Sequence, residues 1–574
     1  MKPSSPFSKL SMRIEGEKNS ALENARVRIV LIVGLFMLGF IVIAGRLVDA
    51  TVIQGMLNKG ETESALDHAR DKDRQNSSSK RGEILDRNGV ILATSLKTAS
   101  LYADQKLMID PQISAKALHK IFPEMVYGDL LKKLQGEKRF VWIKRNLTPD
   151  EQAKILQIGE PGLAFDYDFR RIYPQGALTA HMVGYTDVDG RGLGGIERSF
   201  NKLLSDKKAE PIKLTLDVRL QHILRRETQK AIDDFSGIGG AGIVMNVKTG
   251  EVLAAVSLPD FDPHDPKGNV SDDRKFNRVT LGVYELGSTF KIFSTTAFLE
   301  KFKTMNASFD ARLPLHRYKR VIRDFHPEAR SLTLPEVFMH SSNIGTALMG
   351  ERVGTDSLKS LYKDLGLMTK GEFDIEEMGR PLMPNPWKEI NTLTASYGHG
   401  IAVTPLQLTA AVSSIVNGGT LVKPQLVKAE DDGKPQKQIR VISKDTSLKM
   451  RQLLRLVVTN GTARKADVLG YEVGGKTGTA EKNINGRYVG DKRISSFVGA
   501  FPMNDPEYAV FIMVDEPKPN KNSYGYATAG WVAAPAVGNV IAGMAPLLSM
   551  RPEAKDSVDI AEPLKVFLKQ TGGH

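Results

Sequence analysis

The run IVLIVGLFMLGFIVIAG, residues 29–45, constrains this chain more than any other stretch, because it contains no charged side chain. Apolar character continues through Leu47 and Val48, which makes roughly 20 residues, enough for a helix to cross a bilayer once. The basic residues before it predict a cytoplasmic tail over residues 1–27, a transmembrane helix over 28–48 and an extracytoplasmic remainder. A cleavable signal peptide is the alternative, but both the apolar run and the basic region before it are long for one.

The 574-residue chain has no cysteine, which excludes disulfide bonds, thiolate zinc sites and a cysteine nucleophile. Its net charge of +13 comes from basic residues scattered among acidic ones, without zinc-finger spacing or a sustained arginine-rich run. This pattern is typical of a solvated surface and predicts no nucleic-acid partner.

A first folded domain is predicted after the membrane segment. Residues 49–80 are polar and charged, which is typical of a juxtamembrane linker, and residues 81–230 mix short strands with modest helices. The Asn88-Gly89 pair in RGEILDRNGVILATS predicts a hairpin, and a helix is expected near Pro149. The glycine-rich stretch GRGLGGIERSF, residues 190–200, lacks a strand–glycine–helix frame and is predicted to be a turn.

A second domain is predicted over residues 235–550, followed by a C-terminal tail over 551–574. Two apolar strands flank a turn at Lys248-Thr249-Gly250, and a long helical region runs from about 288 to 415. The stretches SSFVGAFP and YAVFIMVDEP are predicted to pair as antiparallel strands. Strands from both ends of the domain and helices from its middle predict an α+β fold.

The stretch GYEVGGKTGTA, residues 470–480, fits two incompatible motifs. It is a complete G-x-x-x-x-G-K-[ST], the P-loop pattern, and it contains Lys476-Thr477-Gly478, the third signature of penicillin-reactive serine acyl-transferases. A P-loop needs a helix that begins at its Lys-Thr pair, but GTAEKNINGRYVGD, rich in glycine and asparagine, follows here. The chain beyond it also lacks repeated βαβ units and is predicted to lie outside the cytoplasm, so the acyl-transferase is favoured.

The segment YELGSTFKIFSTTAFLEKF, residues 284–302, offers a nucleophile and a base. Ser288 is predicted at the N-terminus of an apolar helix, where the helix dipole favours developing negative charge. Lys291 lies one turn further on the same face, and apolar surroundings should lower its pKa so that the neutral amine can take the Ser288 proton. The same Ser-x-x-Lys spacing at Ser77, Ser205 and Ser360 is predicted to mark surface pairs.

The second motif, Ser341-Ser342-Asn343, lies in a loop that is predicted to separate two helices. The first helix should begin with a capping box formed by Thr333 and Glu336. Lys476 lies in a glycine-rich extended segment, suited to an edge strand that a substrate backbone can approach. Three motifs in the required order, with matching local structure, are stronger evidence than any one of them.

These motifs resemble those of the class B penicillin-binding proteins, the monofunctional D,D-transpeptidases, together with the stretches RGEILDRNGVILA, GLGGIERSF, LTLDVRLQ, YGHGIAVTPLQLTAAVSSIVNGG and SSFVGAFP. The resemblance implies a penicillin-binding/transpeptidase fold, which is an antiparallel sheet flanked by helices. An elongated pedestal domain of the class B dimerisation type, over residues 81–230, would precede it in the chain. The short tail and single anchor look most like the division-specific septal type, with the elongation-specific type as the alternative. Leu286 stands where the family usually has proline, which should change the rigidity of the turn and not the chemistry.

The resemblance implies a role for each motif residue. Ser288 would attack a D-Ala-D-Ala donor, with Lys291 as general base. Ser341 would relay the proton to the leaving amine, and Asn343 would orient Lys291 and the donor amide. Lys476 would keep the local field positive.

Substrate binding is implied for the residues after Lys476. Thr477 and Thr479 would bind the substrate carboxylate, Gly478 would let the substrate approach the strand, and the backbone N–H groups of Ser288 and Thr479 would form an oxyanion hole. An amine from a neighbouring stem peptide would then form the cross-link, and β-lactams would acylate Ser288 as mimics of the donor. No metal ion or organic cofactor is expected.

Other functions share the same motifs. A β-lactamase would add a hydrolytic base, but no Glu-x-x-x-Asn lies between Ser288 and Lys476. A D,D-carboxypeptidase would use water as the acceptor, and a β-lactam sensor would be acylated without turnover. The resemblance places the protein in the bacterial inner membrane with its catalytic domain in the periplasm, beside a membrane glycan polymerase and other division proteins.

Overall fold

A computed structural model describes residues 19–48, 80–206, 208–265, 273–429, 439–484, 486–554 and 558–568. The predicted cytoplasmic tail therefore lies outside the described residues up to residue 18, and so does nearly all of the predicted linker.

The α-helices are α1 (Asn19–Val48), α2 (Pro111–Ile121), α3 (Tyr127–Leu134), α4 (Pro149–Leu156), α5 (Ala180–Val183), α6 (Gly195–Ser199), α7 (Asn201–Leu204), α8 (Val218–Asp234), α9 (Lys291–Phe302), α10 (Leu334–Met339), α11 (Asn343–Val353), α12 (Thr355–Asp364), α13 (Glu389–Ser396), α14 (Pro405–Val416), α15 (Lys444–Thr459) and α16 (Ala533–Leu547).

The strands are β1 (Ile84–Leu85), β2 (Ile91–Ala103), β3 (Val141–Leu147), β4 (Leu163–Ile172), β5 (Ile212–Lys213), β6 (Gly239–Asn246), β7 (Val252–Leu258), β8 (Ser308–Asp310), β9 (Leu315–Arg317), β10 (Arg320–Ile322), β11 (Ser331–Thr333), β12 (Gly474–Ile484), β13 (Arg487–Phe501) and β14 (Tyr508–Asp515).

Helix α1 contains the predicted membrane segment. Its stretch Val27–Arg46 has a mean hydropathy of 2.8 and is, among the described residues, the one helix long and apolar enough to cross a membrane. Its apolar side chains are exposed, as expected of a surface that faces lipid and not a protein core. The helix therefore fits a single membrane anchor.

The chain divides into two units, and the described residues of the first are 19–48 and 99–166. Its core joins helices α2, α3 and α4 to the C-terminal half of β2, which pairs antiparallel with β3. The helix expected near Pro149 is confirmed as α4, and Thr148 and Glu151 form its capping box.

The second unit comprises Ser78–Thr98 and Tyr167–His574. It includes the predicted hairpin, in which Ile84 of β1 pairs with Ala93 of β2, and β1 also pairs in parallel with β5. The predicted domain boundaries at residues 81, 230, 235 and 550 stay predictions.

The turn predicted over residues 190–200 is wrong in its second half, which forms helix α6. The helix places Glu197 in the interior, where its carboxylate accepts from Arg81 Nε at 2.5 Å and from Arg171 Nε at 2.7 Å. Both arginines are almost completely buried, so each charge is removed from water and must be paired. The glycine pattern alone does not indicate this buried ion cluster.

A five-stranded antiparallel sheet in the order β12–β13–β14–β6–β7 organises the second unit. Both predicted hairpins, β6–β7 and β13–β14, are present, and β14 joins them by pairing Ile512 with Gly242. Gly242 faces Leu224 of α8, whereas Met245 contacts Ser413 of α14. Because side chains alternate along a strand, these contacts place helices on both faces of the sheet and confirm the α+β layers.

The helical region predicted over residues 288–415 is interrupted. Strands β8 and β11 form one two-stranded sheet and β9 and β10 form another, all between α9 and α10. Each of these strands has three residues, too few to show a period of two in the sequence. These strands form most of the segment that connects α9 to α10, the helix before the Ser341 loop.

The described part of the predicted C-terminal tail packs against the second unit. Residues Glu562–Phe567 form a 3₁₀ helix that buries Leu564. Asp559 binds Arg455 of α15 at 2.8 Å, and the carbonyl of Phe567 accepts from Thr333 Oγ1 at 3.0 Å. The segment is therefore attached to the helices that precede two of the three motifs.

Candidate active site

Ser288 lies in a 3₁₀ turn, Gly287–Phe290, and helix α9 begins after it at Lys291. The sequence predicts Ser288 at the N-terminus of an apolar helix, and in the structure the 3₁₀ turn that contains Ser288 leads directly into that helix. Gly287 has a φ of +53°, which suits glycine. Leu286, where the family has proline, is fully buried, and its carbonyl accepts from the Thr289 hydroxyl at 3.0 Å.

The backbone of the turn that contains Ser288 lies too close to Gly398 and Gly478 for either of these residues to carry a side chain. A methyl group at Gly398 would lie 2.0 Å from the Gly287 carbonyl oxygen, and one at Gly478 would lie 2.3 Å from the Leu286 carbonyl oxygen. Gly478 was expected to admit substrate to the strand. The geometry gives a different reason, since the missing side chain makes room for the turn that carries Ser288.

Lys291 is completely buried below the cleft. Its Nζ donates to Asn343 Oδ1 at 2.8 Å, to Ser341 Oγ at 3.1 Å and to the Ser341 carbonyl. The first and second motifs therefore meet in space, as their resemblance to the family implied.

The Ser341 loop is held by the two helices that flank it. Helix α10 begins with the predicted capping box of Thr333 and Glu336. After it, Ser341 adopts a φ of +60°, and Ser342 caps the N-terminus of α11 by accepting from Gly345 N. A serine in this left-handed conformation is uncommon and persists where the surrounding structure enforces it.

Lys476 lies on β12, the edge strand of the sheet, as predicted. Its side chain is completely buried and its Nζ donates to Ser341 Oγ at 2.9 Å. The Ser341 hydroxyl thus lies within hydrogen-bond distance of both lysines. All three motifs converge on this oxygen.

Burial sets the charge of both lysines. It lowers the pKa of Lys291 well below its ordinary value, and the neighbouring Lys476 ammonium lowers it further, while the Asp324 carboxylate acts in the opposite direction. Burial also lowers the pKa of Lys476 to about 7. The expected direction for Lys291 is confirmed, whereas Lys476 with a pKa of about 7 is only half protonated at pH 7 and loses its charge above it.

The two threonines of the third motif are held by hydroxyl contacts. Thr477 Oγ1 lies 2.7 Å from Thr462 Oγ1, and Thr479 Oγ1 accepts from Ala529 N at 3.1 Å. Both side chains line the same cleft as Ser288. Their hydroxyls are therefore fixed in place where a bound carboxylate would need donors.

The cleft has a volume of about 610 Å³, and Ser288, Ser341, Asn343, Thr477 and Thr479 all line it. Sequence reasoning missed further residues that line the cleft, among them Asp324, His399 and Thr462. Asp324 accepts from Ser342 Oγ at 2.7 Å and from Ile344 N at 2.9 Å. Nothing in the local pattern around it signals these contacts, because they depend on the β9–β10 chain folding back.

The P-loop alternative is wrong. Lys476 and Thr477 lie inside an antiparallel strand, not at the start of a helix, and the neighbouring strands β13 and β14 also pair antiparallel. Within the described ranges, no group of three or more His, Cys, Asp or Glu side chains could hold a metal ion.

The other Ser-x-x-Lys positions serve local contacts. Ser360 donates to Asp364 on the surface of α12, Ser205 accepts from Arg81, and Ser77 lies outside the described residues. The second Lys-Thr-Gly, at Lys248, forms the predicted hairpin turn and pairs with the exposed Asp505.

Comparisons with known proteins agree with this geometry. Residues 240–540 match the penicillin binding protein transpeptidase domain, and residues 76–214 match the penicillin-binding protein dimerisation domain. The probable peptidoglycan D,D-transpeptidase FtsI of Caulobacter vibrioides is 39% identical over 82% of this chain and 82% of its own length. The peptidoglycan D,D-transpeptidase FtsI of Escherichia coli K12 is 28% identical over 87% of this chain and 89% of its own length.

A solved structure has the same fold. Penicillin binding protein 3 of Mycobacterium tuberculosis, in complex with aztreonam, has a TM-score of 0.65 at 24% identity and covers 84% of this chain and 99% of its own. The chain therefore belongs to the penicillin-binding protein transpeptidase family, with a dimerisation domain before the transpeptidase domain.

Proposed function

We propose that this protein is a peptidoglycan D,D-transpeptidase that cross-links stem peptides through an acyl-enzyme on Ser288. The names of its relatives and its transpeptidase domain support the reaction class. The observation that carries the mechanism is the position of the Ser341 hydroxyl, within hydrogen-bond distance of both Lys291 and Lys476.

Acylation follows from this arrangement. Neutral Lys291 takes the Ser288 proton as Ser288 Oγ attacks the carbonyl of the penultimate D-Ala. Ser341 then passes a proton to the leaving amine of the terminal D-Ala, because its oxygen accepts from a protonated lysine while its own proton is free to move. The backbone N–H groups of Ser288 and Thr479 stabilise the oxyanion.

Substrate recognition uses the third motif. Thr477 and Thr479 hold the terminal carboxylate with their hydroxyls, and Lys476 contributes positive charge at and below neutral pH. Asn343 accepts from Lys291 and donates through Nδ2 to the Arg323 carbonyl at 3.0 Å, which fixes its amide. An amine of a second stem peptide then releases the acyl group from Ser288 and completes the cross-link.

The cellular setting is part of the same proposal. Helix α1 anchors the chain in the inner membrane, with the N-terminus in the cytoplasm and the catalytic domain in the periplasm. The FtsI-type relatives support a role at the division septum, beside a membrane-embedded glycan polymerase. A tagged protein should concentrate at mid-cell in dividing bacteria, and uniform side-wall localisation would favour the elongation-specific alternative.

Labelling with a fluorescent penicillin tests the acyl-enzyme. The wild-type protein should acquire one covalent label, and Ser288→Ala should acquire none. Ser360→Ala is the matched control, because it removes the serine of another Ser-x-x-Lys pair and should label normally. Absence of labelling in the wild type, or its persistence in Ser288→Ala, would contradict the proposal. Formation of cross-linked product from stem peptides separates a transpeptidase from a sensor or a carboxypeptidase.

A further inference from the structure

His399 is a titratable cleft residue that the mechanism above does not use. It lines the same cleft as Ser288. Its chain neighbour Gly398 lies directly against Gly287, the residue before the nucleophile. The imidazole is therefore carried by backbone that is packed on the catalytic turn.

The ring is held in a fixed position. It stacks on Tyr488 with a centroid separation of 4.3 Å and an interplanar angle of 27°. The Tyr488 hydroxyl donates to Glu285 Oε1 at 3.1 Å, and the other oxygen of Glu285 accepts from Gly400 N at 3.1 Å. Gly398, Gly400 and the His399 ring are therefore each held by a contact with the catalytic turn, with Glu285 or with Tyr488.

Within the described part of the chain, neither imidazole nitrogen of His399 has a hydrogen-bond partner. Burial lowers the pKa of His399, while the carboxylates of Glu285 and Glu481 act in the opposite direction and Arg320 acts with burial. The ring is therefore neutral at neutral pH, and two nearby carboxylates would stabilise the imidazolium that forms when it accepts a proton.

We infer that His399 is the general base that deprotonates the acceptor amine before it attacks the acyl-enzyme. The inference rests on the proposed function, since it needs an ester on Ser288 and an amine acceptor. A stem-peptide amine arrives as an ammonium ion, which has no lone pair for attack. A neutral imidazole in the cleft wall supplies the missing acceptor for its proton.

The step balances as follows. The ammonium transfers one proton to a free imidazole nitrogen of His399, and the neutral amine attacks the acyl carbon. A C–N bond forms and the bond from carbon to Ser288 Oγ breaks. The second proton lost from nitrogen passes through Lys291 to Ser288 Oγ, and His399 releases its proton to water.

The experiment separates acylation from aminolysis in the purified full-length protein. Fluorescent penicillin measures acylation, and a small D-alanyl thioester donor with a dipeptide acceptor measures the ratio of amide to hydrolysis product. The acceptor's α-amino group has a pKa of about 8, so most of it is protonated at pH 7 and little at pH 9. His399→Phe keeps a ring to stack on Tyr488 and removes the base.

His399→Phe should acylate at the wild-type rate, yield about 10- to 100-fold less amide at pH 7, and approach the wild-type yield at pH 9, where free amine is abundant. His399→Gln should behave in the same way. The exposed His222→Gln on α8 is the control and should match the wild type at both pH values.

Two results would overturn the inference: a wild-type amide yield for His399→Phe at pH 7, or a deficit that persists at pH 9. If His399→Gln were deficient while His399→Phe was not, only ring stacking on Tyr488 would matter. Loss of acylation in the wild type would be a different failure, because it removes the proposed function itself.

Discussion

At the scale of single residues, two buried lysines share one serine hydroxyl. Lys291 and Lys476 cannot both be charged at low cost in this site, because each loses its hydration and repels the other. The Asp324 carboxylate is the opposite charge that acts on Lys291. The protonation state of the site therefore depends on three side chains, of which the sequence motifs contain only the two lysines.

Asp324→Asn should shift the pH dependence of acylation. The Asp324 charge raises the pKa of Lys291, so its removal lowers that pKa, and the acidic limb of the acylation rate should move to lower pH. Asparagine retains an oxygen for Ile344 N, and the plateau rate should fall by no more than about tenfold. Stopped-flow acylation by a fluorescent penicillin between pH 5 and 9 measures the limb, with the exposed Asp356→Asn as control. A shift to higher pH would refute the assigned sign.

The residues that sequence could predict are those that lie in contiguous motifs. Ser288, Lys291, Ser341, Asn343 and Lys476 were all proposed from spacing and local structure, and the fold brings them together. Asp324 comes from a segment without such a pattern, and His399 comes from a stretch, YGHGIAVTPLQ, that resembles the family but suggests no role for its histidine. Their positions depend on strand pairing and on glycine contacts between distant parts of the chain. A local pattern of polar and apolar residues contains no information about such contacts.

At the scale of elements, the helices that deliver the motifs are fixed at their ends. Thr333 caps α10, the helix that leads to Ser341, and its hydroxyl also donates to the Phe567 carbonyl. The cap was predictable because a capping box is a four-residue pattern. Its attachment to the C-terminal segment was not, since the sequence predicts only a tail over residues 551–574. Strands β8–β11 were missed for a related reason, because three-residue strands carry no periodic signal.

Thr333→Ala should destabilise the second unit and slow acylation. Loss of the cap costs about 1 kcal/mol, which corresponds to a fall of roughly 1 °C in melting temperature for a unit this large. Thr148→Ala removes the equivalent capping box of α4 in the first unit and should leave the labelling rate unchanged. Equal effects of both variants on labelling would show that the α10 cap has no special connection to the site. Differential scanning fluorimetry and penicillin labelling supply the two readouts.

At the scale of the whole molecule, the C-terminal segment completes the second unit. Glu553 N donates to the Gly470 carbonyl at 2.8 Å, and Arg455 binds Asp467 and Asp559 as well as the carbonyl of Val473, directly before β12. Glu472, beside Val473, is buried, has a φ of +36°, and one of its carboxylate oxygens has no hydrogen-bond partner among the described residues. Burial raises the pKa of Glu472 to about 7, and the charges of Glu553 and Asp559 add to this effect.

Glu472→Gln should remove a pH dependence of stability. The folded protein retains a proton on Glu472 that the unfolded chain loses above its ordinary pKa of 4.5, so stability falls as pH rises from about 4.5 to 7 and stays reduced above that. The variant lacks this loss and should melt roughly 2–4 °C above the wild type at pH 8, with little difference at pH 4.5. Melting curves across this range test it, with the exposed Glu562→Gln as control. A variant that melts lower at pH 8 would contradict the sign.

The strand order also determines when the catalytic domain can form during synthesis. Strand β6 pairs with β7 at once, but its other neighbour, β14, follows about 260 residues later. At roughly 5–20 residues per second, a strand with seven buried positions waits on the order of 10–50 s for its partner. An exposed apolar edge invites association with other chains during that interval. The newly made protein should therefore depend on chaperones that hold β6–β7 until β14, near the end of the chain, emerges.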